Sequence, residues 1–356
     1  MVNEHILSQL VNENEKEVFK TMRGDMNTNK ALLNEEQFAQ FMRAATINQT
    51  ILNDASFRRM NSTSQVVSST KIAGRVLQNG YKSTNVTQDS LTEAVIGFGK
   101  AELNAKKLKA KTSILDDDKE DNIEKEAFEQ TLLTMMGEAV GRDLEALAVF
   151  GDTSYTYDHD DNDGTAAVAH PLFSVTDGWL KSATTTLKSD LANDSTDDND
   201  GDFDIAVTGV TGMFNKMINS MPAAYRQANL MKDLVFYVPY EVQEGYRNYL
   251  MDRETGLGDS SLLNADQLQY KGIPVKYAPV LDATDGRAAH GAVPSILTVP
   301  EFLWYGVYKD LSIEPHRDVA NENTEYYYRI RCDATLQYKD SCIVADITST
   351  EATSLL

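Results

Sequence analysis

A chain of 356 residues, 42% hydrophobic and 24% charged, has the length and composition to bury a core as one large domain or two modest ones. It contains no run of about 18 apolar residues, so no membrane span is expected. The net charge of −21 repels phosphates and disfavours DNA binding through a basic patch; self-association must overcome that repulsion by apolar contacts or locally complementary charge.

The opening residues Met1-Val2-Asn3-Glu4-His5 place no basic segment ahead of an apolar stretch, so neither a secretory signal nor a removed propeptide is expected. Ile6, Leu10, Val18, Phe19 and Met22, then Phe38, Phe41, Met42 and Ala45, recur near helical spacing. They read as two packed helices, or as an arm whose apolar faces are satisfied by neighbouring chains. Residues 61–70 are rich in Ser, Thr and Asn and read as a linker. Residues 71–77 read as a strand closed by the turn signal Asn79-Gly80. After a polar loop the chain returns, and in Lys107-Leu108-Lys109-Ala110-Lys111-Thr112 the lysines alternate onto one face. That face is either solvated or pressed against acid from a neighbour.

The clearest element is a helix over residues 122–150, opened by a capping-box spacing at Asp121 and Glu124. Phe128, Leu132, Met136, Val140, Leu144 and Leu147 form its apolar stripe, and Gly151 is its expected stop. Gly137 and Gly141 inside it suggest a closely crossing backbone. The acidic stretch 152–204 carries two Asp-rich loops. An EF-hand frame set on Gly164 puts His159 and His170 at its first and last positions; one set on Gly201 puts Thr196 and Val207 there. Both fail, leaving solvated loops as the expectation. Further on, residues 210–221 and 240–251 read as helices, and residues 234–239, 272–275, 295–299 and 304–308 as strands. Residues 326–338 and 341–346 read as an antiparallel hairpin across Lys339-Asp340.

No local signature of catalysis stands out. His5, His159, His170, His290 and His316 are scattered without zinc spacing. Gly97-Phe98-Gly99-Lys100 is followed by Ala101 where a nucleotide loop needs Ser or Thr. The lone pair Cys332 and Cys342 makes no disulfide framework, suits a reducing cytoplasm and reads as core thiols. No enzyme activity, metal or cofactor is expected.

The order of these elements resembles the tailed-bacteriophage major capsid proteins with the Hong Kong 97-type fold, over roughly residues 65–347. Residues 71–77, the turn at Asn79-Gly80 and the return through 106–114 look like the family's E-loop hairpin. Residues 123–150 look like the spine helix of its P domain. Met221-Pro222-Ala223-Ala224-Tyr225-Arg226 and the strand after it are similar to the passage into its A domain. Tyr270-Lys271-Gly272-Ile273-Pro274-Val275 resembles the strand that follows there. The resemblance implies an α+β fold in five parts. These are an N-terminal arm (1–70), an extended E-loop β-hairpin (71–115), a P domain with a long spine helix (116–238), an A domain (239–310), and return strands with a C-terminal tail (311–356).

It also implies a structural subunit assembling as homo-pentamers and homo-hexamers into an icosahedral shell. A separate scaffolding protein, a portal protein and enclosed double-stranded DNA would be its partners, and the virion its location. Arg75, Asn79, Gly80, Tyr81, Lys82, Lys107, Lys109 and Lys111 are the expected inter-subunit contacts. The rival readings are an encapsulin shell of the same fold, a monomeric calcium-binding adhesin-like protein built on the Asp-rich loops, and a hydrolase with dispersed acids.

Overall fold

The computed structural model describes residues 50–73, 95–115, 126–157, 168–189, 203, 205–223, 225–226, 233–251, 268–318 and 322–355. In chain order these form α1 (Ile51–Asp54), β1 (Ser56–Arg59), β2 (Ser64–Ala73), β3 (Val95–Asn104), β4 (Lys106–Leu115) and α2 (Glu126–Phe150). Next come β5 (Thr156–Tyr157), β6 (Val168–Ala169), α3 (Trp179–Ser182), β7 (Thr185–Lys188), α4 (Ile205–Ser220), β8 (Val235–Val238) and α5 (Tyr240–Met251). The remainder is β9 (Leu268–Tyr270), β10 (Ile273–Tyr277), α6 (Thr284–His290), β11 (Val293–Thr298), β12 (Leu303–Asp318), β13 (Asn323–Leu336), β14 (Ile343–Ile347) and α7 (Ser349–Ser354).

Two sheets organise the chain. A mixed sheet in the order β7-β14-β11-β8-β10-β9 is a wall between two cores. Along β8 the side chains alternate: Val235 and Tyr237 join one hydrophobic cluster, Phe236 and Val238 the other. A strand buried on both faces needs an unbroken apolar run, and Val-Phe-Tyr-Val supplies it. One core lies against α4 and α5 and holds Met213, Phe214, Met217 and Tyr246. The other lies between the wall, the C-terminal half of α2 and the inner face of the second sheet. That sheet runs β1-β12-β13-β4, with β12 and β13 a long antiparallel hairpin.

The stripe on α2 holds where its side chains are described. Met136 and Val140 are half-buried, Leu144 and Leu147 buried, and Gly137 and Gly141 lie on the buried side. Gly151 ends the helix for a reason other than a left-handed cap. A Cβ there would sit 2.3 Å from the Thr176 carbonyl oxygen, so the 176–178 backbone rests directly on the helix end. At Gly209, with φ of 62°, the first turn of α4 breaks from the rest.

Several expectations are corrected. Residues 51–60 belong to the body, with Ile51, Leu52 and Met60 all buried, and the expected linker at 61–70 holds most of strand β2. The expected boundary at 310/311 falls inside β12. Residues 326–338 and 341–346 are not a hairpin. β13 pairs with β12 and β4, whereas β14 pairs with β11 and β7 in the other sheet. The short turn at Lys339–Ser341 crosses between sheets instead of folding one back on itself. Residues 168–189, expected to be part of an acidic insertion, supply buried Phe173, Trp179, Leu180 and Leu187 and the strand β7. The helices expected before residue 46, and most of both Asp-rich loops, lie outside the described residues.

Candidate assembly surface

Among the described residues β2 and β3 pair only with each other, from Ser64 opposite Asn104 to Ala73 opposite Val95. This antiparallel ribbon is a hairpin, but not the one expected from the sequence. Its described limbs are residues 64–73 and 95–104, and the expected turn at Asn79-Gly80 lies outside the described residues. Residues 106–115 are not its return limb. Only Ala105 separates β3 from β4, and β4 pairs along its whole length with β13. Arg75, Asn79, Gly80, Tyr81 and Lys82 lie outside the described residues.

The ribbon is fastened at its base. Leu103 is fully buried and Ala101 nearly so, while Val66 remains 52% exposed. The Ala105 N–H donates to the Thr63 carbonyl at 2.8 Å, and the Asn104 N–H donates to the Asp333 carboxylate at 2.6 Å. Asp333 also accepts the Thr176 hydroxyl, so one carboxylate on β13 joins the ribbon base to the segment packed on α2. Burial pushes its pKa up, against the pull of those hydrogen bonds. Replacing Asp333 by alanine should cost about 1–3 kcal/mol, because the buried Thr176 hydroxyl and the part-buried Asn104 amide lose their acceptor. Urea unfolding of the unassembled chain measures this, and Asp333→Asn, which keeps one acceptor, should lose less.

β4 carries Lys107, Lys109 and Lys111 on one face, as their alternation requires. Opposite them stand Arg331, Arg329 and Tyr327 of β13. Directly opposed residues of an antiparallel pair share a face, so the lysines and arginines form one surface. The other face of β13, with Tyr326, Tyr328, Ile330 and Cys332, is buried. Two of the cations are matched within the chain. The Lys111 ammonium is 2.6 Å from the Glu325 carboxylate and lies over the Tyr327 ring at 5.6 Å. The Arg329 guanidinium is 2.8 Å from Glu314. Lys107 differs: the Lys109 ammonium, then loss of solvent, then Arg329 and Arg331 hold its pKa below the ordinary lysine value, against the opposing pull of Glu314. The arginines escaped the sequence reading, although Tyr327, Arg329 and Arg331 repeat at the two-residue period of a strand with one wet face.

Beneath the same strands an open groove of about 440 Å³ lies between β4 and α2, floored by Leu108, Ala110, Val140, Leu144, Leu172 and Tyr328. Nothing in it resembles a reaction centre. Cys332 on β13 and Cys342 just before β14 are free and buried in the same core, and burial pushes each thiol up to about 12, far from a reactive thiolate. Among the described residues no three His, Cys, Asp or Glu side chains gather to hold a metal ion, and no helix is long and apolar enough to cross a membrane.

A mixed fold with a two-stranded ribbon, a long helix and two sheets can be set beside known proteins. No family model matches the chain. The "Putative prophage capsid protein YqbE" of Bacillus subtilis (strain 168) is 22% identical over 313 residues, 87% of this chain and 90% of that one. Among solved structures, a chain of the satellite phage P4 procapsid that includes the size determination (Sid) protein superposes with a TM-score of 0.57. The two are 13% identical, over 89% of this chain and 92% of that one. The capsid of the native GTA particle gives 0.52 at 13% identity, again over 89% and 92%. Mycobacterium phage Ogopogo gives 0.52 at 9%, over 84% and 92%. The fold is therefore that of phage capsid proteins, and the resemblance read from the sequence is borne out.

Proposed function

We propose that this chain is the major capsid protein of a tailed bacteriophage, a non-enzymatic subunit that assembles with copies of itself into an icosahedral shell around double-stranded DNA. The observation that carries the reading is fold agreement over almost the full length of both chains, 89% and 92%, with a chain from a phage procapsid structure. In this reading the β2–β3 ribbon is the E-loop and α2 the spine helix. A two-stranded ribbon alone is marginal in water. Its distal part, with Arg75, Asn79, Gly80, Tyr81 and Lys82, therefore gains burial on a neighbouring subunit. Pentamers and hexamers of the chain build the shell, a separate scaffolding protein guides its closure, and a portal protein occupies one vertex.

Electron microscopy of the purified full-length chain, co-expressed with candidate scaffolding proteins, tests the proposal. Closed shells together with a fast-sedimenting species are the expected result. A chain that stays a single-copy species under every assembly condition would falsify it.

A further inference from the structure

We propose that the outward face of the four-stranded sheet, at Lys107, Lys109, Arg329 and Arg331, docks an acid-rich surface of a second copy of this chain. The idea rests on the shell-subunit reading, but it concerns a surface separate from the β2–β3 ribbon and adds Arg329 and Arg331 to the expected contacts Lys107 and Lys109.

The register brings the cations together. Lys107 faces Arg331 and Lys109 faces Arg329 across one ladder, where opposed Cα atoms are about 4.5–5.5 Å apart. Lys107 and Lys109 are exposed, and Arg329 and Arg331 half-exposed. Like charges so placed repel one another, the repulsion that depresses the Lys107 pKa. The same face shows how carboxylates settle on it, since Glu325 and Glu314 lie against Lys111 and Arg329. Those two acids leave the other end of the surface unmatched. Among the described residues Lys107, Lys109 and Arg331 have no carboxylate within ion-pair distance.

The chain offers the complementary charge in excess, with 54 acids against 33 bases. A second copy is therefore a better occupant than a nucleic acid. The net charge of −21 repels a phosphate polymer over its whole approach, whereas a protein surface can bring a few acids to this face. β4 is moreover the edge strand of its sheet, so nothing further in the sheet screens that side of the lysines. Such contacts offset locally the global repulsion that opposes assembly.

Zero-length carbodiimide cross-linking of shells built from equal amounts of nitrogen-14 and nitrogen-15 chain tests this on the unmodified protein. Mass spectrometry should find Lys107 or Lys109 joined to Asp or Glu peptides, with mixed-isotope pairs in about the statistical share of an intermolecular link. Same-isotope pairs alone, or no links at these lysines, would overturn the proposal while leaving the shell reading intact. Absence of shells would instead defeat the reading beneath it. As a second measure, Lys107→Glu with Lys109→Glu should raise the concentration needed for assembly about tenfold, equivalent to ~1.4 kcal/mol. Wild-type assembly by that variant, or binding of a short DNA duplex that the substitutions abolish, also counts against the proposal.

Discussion

Replacing Trp179 by alanine is expected to cost about 3–5 kcal/mol, the range for emptying a large aromatic site in a packed core. Trp179 is fully buried, and its indole N–H donates to the Trp304 carbonyl at 3.3 Å. Its position follows from two glycines. The Gly178 N–H donates to the Gly151 carbonyl at 2.8 Å, and a Cβ on Gly178 would meet the Ala148 carbonyl oxygen at 2.7 Å. Without side chains at either position the two backbones touch, and α3 drops its tryptophan against the end of α2 and the start of β12. The surroundings cannot collapse into the space, because Trp304 is itself pinned, with Arg58 over its ring at 4.7 Å. Urea unfolding of the unassembled chain, followed by circular dichroism, should show a lower midpoint with unchanged slope. Gly151→Ala should also destabilise, through backbone overlap instead of a cavity. A wild-type midpoint for Trp179→Ala would show that residues 168–189 are not part of the core.

What the sequence disclosed and what it concealed divide along one physical line. Residues 240–251 were legible to the residue, since Pro239 sets the start and apolar residues at helical spacing fill one side. Val235–Val238 was legible because a run buried on both faces has no polar member. The pairing of β13 was concealed because a two-residue connection is a local signal, while strand partnership is decided elsewhere. Side-chain polarity nevertheless separates the two strands. Glu325, Tyr327, Arg329 and Arg331 give β13 one wet face, whereas Ile343, Val344 and Ala345 leave β14 none. Strands of those two kinds belong to different sheets, one open on a side and one walled by both cores. The same reasoning applies to the lysines. Their alternation fixed a common face, but no local pattern could say that Arg329 and Arg331, more than two hundred residues away, would share it. Residues 168–189 escaped because β6 and β7 are too short for periodicity to register and the tryptophan follows an Asp-Gly pair that reads as a turn.

Glu145→Ala is expected to cost about 2–3 kcal/mol or more, and Glu145→Gln far less, because the two changes remove different things. Glu145 lies on α2 and is 3% exposed. One oxygen of its carboxylate accepts the N–H groups of Ile51 at 2.8 Å and Leu52 at 3.2 Å. These are the first donors of α1, which Thr50 does not cap with its own side chain. The cap thus comes from another helix and fastens residues 51–54, whose Asp54 in turn accepts the Tyr237 hydroxyl at 2.8 Å and pairs with Lys276 at 2.5 Å. Alanine strands two amides in the core. Glutamine retains an acceptor oxygen and loses only the charge.

Burial pushes the Glu145 pKa above its ordinary value of 4.5, outweighing the backbone donors that favour the charged form. Its sign follows from proton linkage. A carboxyl with a raised folded pKa contributes stability that is fully present below the unfolded value and lost as pH rises through the folded one. Glu145→Gln carries no such proton, so the wild type should lose stability relative to it as the pH climbs from 4.5. Paired urea titrations of the unassembled wild type and Gln variant across that interval measure the difference. Faster amide exchange at Ile51 and Leu52 in the Ala variant locates the loss. Equal stability of wild type and Glu145→Ala, with unchanged exchange at both amides, would mean that the cap holds nothing in place.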